Sequence, residues 1–106
     1  MEITLFYITT PDKEIAHHLG SMAIEKKLAA CANVFPIHSI FPWEGKLNSE
    51  NEHVLLLKSI ALLKIDLIMF IEVNHPYDIP CIMCWNVEVN ETYGNWITEN
   101  VVLQSY

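Results

Sequence analysis

Between positions 75 and 80 the chain sets an imidazole, a phenol and a carboxyl between two prolines, in the run His75-Pro76-Tyr77-Asp78-Ile79-Pro80. Each proline fixes its own φ and restricts its predecessor. His75 and Ile79 are therefore pushed out of helical geometry, and the run becomes a stiff connector with pre-aimed side chains. His75 and Tyr77 offer an imidazole and a phenol donor, the polar groups of a small-ligand or metal site. The alternative is structural: a rigid elbow that ends a helix and starts a strand. Glu52 and Lys58 share a strand face but stand six residues apart, about 20 Å, too far for one ion pair within a subunit. They are expected to bracket a site between subunits, with Trp43 packed nearby.

Other candidate chemistry is thinner. Cys81 and Cys84 spell C-x-x-C, which in a loop or at a helix start holds zinc or shuttles electrons. In a strand, residues three apart point to opposite faces, and no second pair of ligands completes the set. His17 and His18 are adjacent on a helix and diverge by about 100°, which denies them a shared metal. There is no G-x-S-x-G elbow, and Gly20, Gly45 and Gly94 do not build a phosphate-cradling loop. Glu50 and Glu52 are expected in solvent at a hairpin end rather than as a glycosidase pair.

The composition narrows the class. A chain of 106 residues forms one domain, residues 1–106. Its apolar fraction is 52% and its charged fraction 18%, against about 25% charged for ordinary domains, so it carries more apolar area than one small core hides. That excess implies an oligomer. The formal charge is -7, and all six cations are lysines. Without arginine the chain lacks the forked donor that suits phosphate and guanine, so nucleic acid is not expected as a partner. Anionic membrane surfaces are disfavoured on the same ground. The longest apolar stretch, residues 60–73, is broken by Lys64, Asp66 and Glu72 and is shorter than the ~20 residues of a membrane span. The first residues show no basic and apolar leader pattern, and the three cysteines are an odd count, so a reducing cytoplasmic setting is expected. Cys31 is expected in the core.

The elements that must position these groups follow from periodicity. Residues 2–10 alternate as a strand, with Ile3, Leu5 and Tyr7 on one face and Phe6 and Ile8 on the other. After Pro11, the apolar residues Ile15, Leu19, Met22 and Ala23 recur at helical spacing to about Leu28. Gly20 weakens that helix by about 1 kcal/mol. Residues 29–41 return to a period of two, with Pro36 demanding an edge or a bulge. Residues 43–49 supply turn chemistry, and residues 52–59 form the returning strand of a hairpin. Ile60, Leu63, Leu67, Ile68 and Ile71 mark a second helix before the elbow, and residues 82–87 a fourth strand beyond it. A third helix is expected from Thr92 to about Leu103. The order βαββαβ is the split βαβ, ferredoxin-like arrangement of an α+β fold, with an additional C-terminal helix. Helices would cover one sheet face. Strands apolar on both faces then need other subunits to cover the second.

Five blocks spread over nearly the whole chain resemble the CutA divalent-cation tolerance family. They are Thr10-Pro11-Asp12, then Lys27-Leu28-Ala29-Ala30-Cys31-Ala32-Asn33-Val34, then Ser39-Ile40-Phe41 with Trp43-Glu44-Gly45-Lys46, then Glu52 with Lys58, and His75-Pro76-Tyr77 with Pro80. The resemblance implies a homotrimer of ferredoxin-like subunits, architecturally related to PII signalling proteins, acting without covalent catalysis in the response to metal ions. Some members of that family are described as binding copper through a cysteine in the first strand and two adjacent histidines before the Pro-Tyr step. Ile8 and Asn74 stand at two of those positions, which leaves His75. Cys81 replaces a usual glutamate, Asn86 a common proline and Asn90 a usual glycine. The resemblance therefore implies weak binding of Cu(II) or another divalent transition metal at most, at His75 with Cys81 as the substitute ligand. The second reading it allows is a PII-like sensor. There, Trp43, Glu52, Lys58, His75 and Tyr77 would line an inter-subunit cleft that takes a small metabolite and signals to a protein partner.

Overall fold

The computed structural model describes residues 1–101. Strand β1 (Glu2–Thr10) is followed by helix α1 (Lys13–Glu25) and by strands β2 (Cys31–Trp43) and β3 (Lys46–Ser59). A single 3-10 turn (Ala61–Leu63) leads into α2 (Lys64–Asn74), then β4 (Ile82–Glu88) and α3 (Glu91–Glu99). The expected end of the third helix, Leu103, lies outside the described residues. The strands form one antiparallel sheet in the order β2-β3-β1-β4, the split βαβ arrangement of an α+β fold.

Period-two patterning places Phe6 and Ile8 of β1 and Leu55 and Leu57 of β3 on one face, where they are fully buried against Ala16, Leu19 and Ala23 of α1 and Leu67 and Ile71 of α2. Burying each large side chain contributes about 1.5–3 kcal/mol, so this layer dominates the stability of the subunit. Asp12 caps α1, its carboxylate accepting from the Ile15 N–H at 2.8 Å. The helix stops at Glu25 rather than Leu28. Lys27 takes a left-handed φ of 62°, and the N–H groups of Leu28 and Lys27 return to the carbonyls of Ala23 and Ile24. This is the usual helix-closing turn with lysine where glycine is customary, so no glycine marks it in the sequence.

The second face is covered at one end only. α3 lies there, with Ile97 packing near Ile3, Leu5 and Val87, which corrects the expectation that all helices sit on one side. Cys31 is half-buried at the rim of that cluster rather than in the core. Phe35, Met83 and Trp85, on the same face, remain 39%, 50% and 43% exposed.

The hairpin also departs from expectation. β2 and β3 pair without a bulge from Cys31 opposite Lys58 to Trp43 opposite Lys46, so Pro36 is accommodated by the edge position of β2. Only Glu44 and Gly45 form the turn, with φ of 51° and 76°, the left-handed pair that matches strand twist. Residues 46–51, expected largely as turn, are strand: His38 bonds Asn51 and Ser49 across the pair, so polar side chains carry the ladder. β1 pairs β3 only from His53 to Ser59, so among the described residues the remainder of the hairpin projects as a two-stranded arm with no third strand beside it.

Gly20 faces the sheet across a close approach. A Cβ there would stand 3.0 Å from Leu55 Cδ1 and 3.1 Å from Ala32 Cβ. Gly20→Ala is therefore expected to lower stability by about 1 kcal/mol through overpacking, although alanine is the better helix former. Urea unfolding checks the sign, and a gain in stability would refute the contact.

Candidate functional site

The elbow begins where α2 is stopped by Pro76. His75 is the last residue to return an N–H to the helix, donating to the Ile71 carbonyl at 2.8 Å, and its own ψ of 139° is extended, as a residue before proline requires. Its ring is 8% exposed and turned inward. Nε2 donates to the Thr9 carbonyl at 2.7 Å, and Nδ1 accepts from the Tyr77 N–H at 3.0 Å. The partners fix the tautomer, since a carbonyl only accepts and an amide N–H only donates. The imidazole thus ties the elbow to the end of β1.

Tyr77 continues the chain of contacts. Its ring lies 4.8 Å from that of His75, and its hydroxyl donates to Glu52 Oε2 at 2.6 Å. Glu52 belongs to β3 and is 6% exposed. Burial, then the Glu52 bond and charge, and then Glu50 and Asp12 raise the Tyr77 phenol well above its ordinary value. The phenol is held protonated as a donor to a buried carboxylate.

These contacts frame a cleft of about 610 Å³ between the elbow and the base of the arm. Phe41, Trp43 and Ile79 supply apolar wall, Glu50, Glu52 and Asp78 supply acid, and no lysine lines it. Trp43, Glu52 and Tyr77 come together in this cleft within one copy, and Cys81 joins them. His75 lies beneath the wall rather than in it. Both its ring nitrogens are engaged in this arrangement, Nε2 with the Thr9 carbonyl and Nδ1 with the Tyr77 N–H. Lys58 is elsewhere: its Nζ donates to Tyr93 Oη at 3.1 Å and sits 5.3 Å from the centre of that ring, at the α3 end of the sheet. The six-residue separation from Glu52 is realised as two ends of one strand face.

Cys81 is half-buried in the cleft wall, whereas Cys84 packs against the core layer, so the C-x-x-C does not converge. Among the described residues no three His, Cys, Asp or Glu side chains gather in metal-binding geometry. His17 and His18 are both exposed on α1. Glu50, which the sequence placed in solvent beside Glu52, and Asp78, which it did not single out, both line the cleft, and Glu52 is buried rather than in solvent because it lies under the Tyr77 hydroxyl. The signal for Glu50 was the strand alternation through residues 46–52, which places it on the Glu52 face. No described helix is long and apolar enough to cross a membrane.

The family described as CutA1 divalent ion tolerance protein matches residues 4–100. The divalent-cation tolerance protein CutA of Archaeoglobus fulgidus is 36% identical over 96 residues, covering 90% of this chain and 94% of that one. A solved Archaeoglobus fulgidus structure, described as the periplasmic divalent cation tolerance protein CutA, is similar with a TM-score of 0.90 at 35% identity over 96% of this chain and 100% of that one. The divalent ion tolerance protein CutA1 of Ehrlichia chaffeensis gives 0.91 at 33% identity, covering 95% of this chain and 96% of that one. The chloroplastic CutA of Arabidopsis thaliana is 33% identical over 93 residues, 86% of this chain, which spans about half (51%) of that relative's length.

Tyr77→Phe leaves the buried Glu52 carboxylate without its donor and is expected to cost about 1–3 kcal/mol at neutral pH. Because the folded phenol titrates above its unfolded value of 10.0, the stability it adds is full below that pH and is lost as pH rises toward the folded value. Denaturation midpoints of wild type and Tyr77→Phe measured from pH 8 upward are expected to converge in alkali, and a constant gap between them would refute the assignment.

Proposed function

The chain belongs to the CutA divalent-cation tolerance family, and from that premise we propose that it acts without covalent catalysis, as a homotrimer whose cleft takes a small ligand. The observation that carries the ligand reading is the cleft itself: aromatic and aliphatic walls with a few fixed polar groups are the ordinary make-up of a small-molecule site. The Archaeoglobus and Ehrlichia relatives named above are described by tolerance to divalent cations or ions, and this chain is proposed to serve the same response. The mode is that of a PII-like regulator, in which an occupied cleft alters contacts with a protein partner. Copper binding is proposed to be weak, because Ile8 and Asn74 offer no ligand and the His75 nitrogens are spent on the elbow.

The trimer is supported by what one copy leaves uncovered. Phe35, Met83 and Trp85 form an apolar face on the sheet, and the arm carries Ile40, Trp43 and Leu47 at 68%, 46% and 81% exposure. A lone two-stranded ribbon is marginal in water, so the arm needs a second copy to lie against. Three free cysteines suit a reducing compartment, and the cytoplasm is the proposed location, checked by cell fractionation.

Light scattering is expected to find three copies per particle, and a folded single copy at micromolar concentration would overturn the assembly. Calorimetry with Cu(II) is expected to give binding no tighter than micromolar, before and after thiol blocking. Nanomolar, stoichiometric binding abolished by blocking would assign the metal to Cys81 and defeat the small-ligand reading. Native mass spectrometry of protein from its own cells is expected to retain an organic ligand rather than a metal ion.

A further inference from the structure

The three carboxylates of the cleft lack a cation. Glu50, Glu52 and Asp78 line it, no Lys or His does, and none of the three stands within ion-pair distance of a cationic group among the described residues. Glu52 is the informative member, because it is only 6% exposed. Its Oε2 accepts from the Tyr77 hydroxyl, whereas Oε1 has no hydrogen-bond partner among the described residues. No side-chain oxygen there is both sealed from solvent and unbonded, so Oε1 opens on the cleft that Glu52 lines. A carboxylate stripped of most of its water, with one neutral donor in exchange, is costly to keep charged without an opposite charge beside it. Tyr77 cannot supply that charge: burial first, and then Glu52, Glu50 and Asp12, hold its proton in place.

Resting on the reading that this cleft takes a small ligand, we propose that the ligand is an organic amine in its protonated form, its ammonium donating to Glu52 Oε1 in the field of Glu50 and Asp78 and its hydrocarbon body lying along Phe41, Trp43 and Ile79. The walls select the body. Trp43 is 46% exposed, so its ring is open both to apolar contact and to a cation over its face. The acids select the head: an unused carboxylate oxygen is matched by an N–H donor, and three negative charges in one cleft repel an anion. A bare metal ion is the weaker occupant. Such an ion needs several ligands converging on one point, and among the described residues no three acidic, His or Cys side chains gather in that way. An amine needs one close acceptor and favours the other carboxylates at a distance.

Phenylbutylamine, phenylbutanol and phenylbutyrate share one hydrocarbon body and differ in the charge of the head. In calorimetric titrations of the full chain as it assembles, the amine is expected to bind at least about tenfold more tightly than the alcohol, and the carboxylate more weakly than either. Glu50→Gln, Glu52→Gln and Asp78→Asn are each expected to cut that preference by about threefold or more while the alcohol binds as before, and added salt to cut it likewise. Glu50 and Asp78 are exposed, so their substitution spares the fold, and Glu52→Gln keeps an acceptor for the Tyr77 hydroxyl. Circular dichroism checks each variant. Equal binding of amine and alcohol, or a preference that survives in all three variants, overturns the proposal alone and leaves the cleft as a small-ligand site. Failure of all three probes to bind overturns the proposal and the small-ligand reading together.

Discussion

A sheet with no polar face governs this molecule. Phe6, Ile8, Leu55 and Leu57 load one side, and Leu5, Phe35, Met83 and Trp85 the other, so helices on one side cannot finish the fold. α1 and α2 close the first face. α3 crosses to the second and closes the end around Ile3, where Lys58 and Tyr93 add a charged and aromatic rim. The rest of the second face is open in one copy and is covered by other copies in the proposed trimer. A 106-residue chain with one large face uncovered is short of buried area, so in the proposed trimer folding and assembly draw on the same surface.

The elbow shows how catalytic-looking residues become structural. An imidazole, a phenol and a carboxylate in hydrogen-bonding sequence invite a mechanism, but each has a fixed partner. The Thr9 carbonyl and Tyr77 N–H take both nitrogens of His75, and Glu52 takes the Tyr77 hydroxyl. The network spans β1, β3 and the segment after α2, three parts of the sequence that meet only in the folded chain. Removing one member leaves another buried and unpaired, which is why such networks resist piecemeal change. What remains free for a ligand is the outer wall: Phe41 and Trp43, the Glu50 and Asp78 carboxylates, the second oxygen of Glu52, and the Cys81 thiol.

Local periodicity carried most of the fold. The alternation in β1 and β4, the stripe of Leu63, Leu67 and Ile71, and the Pro76 stop are all short-range signals, and the elements lie where those signals put them. Failures occurred where short-range chemistry was neutral or misleading. Lys27 ends α1 in a conformation usually marked by glycine. Residues 46–51 have loop composition but are strand, because His38, Ser49 and Asn51 satisfy one another across the arm. In the candidate site, spacing and resemblance singled out Trp43, Glu52 and Tyr77, and the fold sets all three on one cleft. The engagement of His75 was not legible, because it depends on a carbonyl 66 residues away in sequence.

Site and assembly are coupled through the arm. Phe41, Trp43, Glu50 and Glu52 all stand on the part of the hairpin that has no third strand among the described residues, so the cleft wall is only as fixed as the arm itself. The elbow steadies one corner through the Tyr77 bond to Glu52, but the tip at Glu44-Gly45 has no comparable tie to the subunit core. In the proposed trimer a second copy lies against the arm and orders the wall before a ligand arrives. A ligand that binds only the ordered wall must then stabilise the assembly by the same free energy with which assembly strengthens the ligand's binding, whatever the ligand is. That reciprocity gives the proposed trimer a physical means of reporting what occupies its cleft.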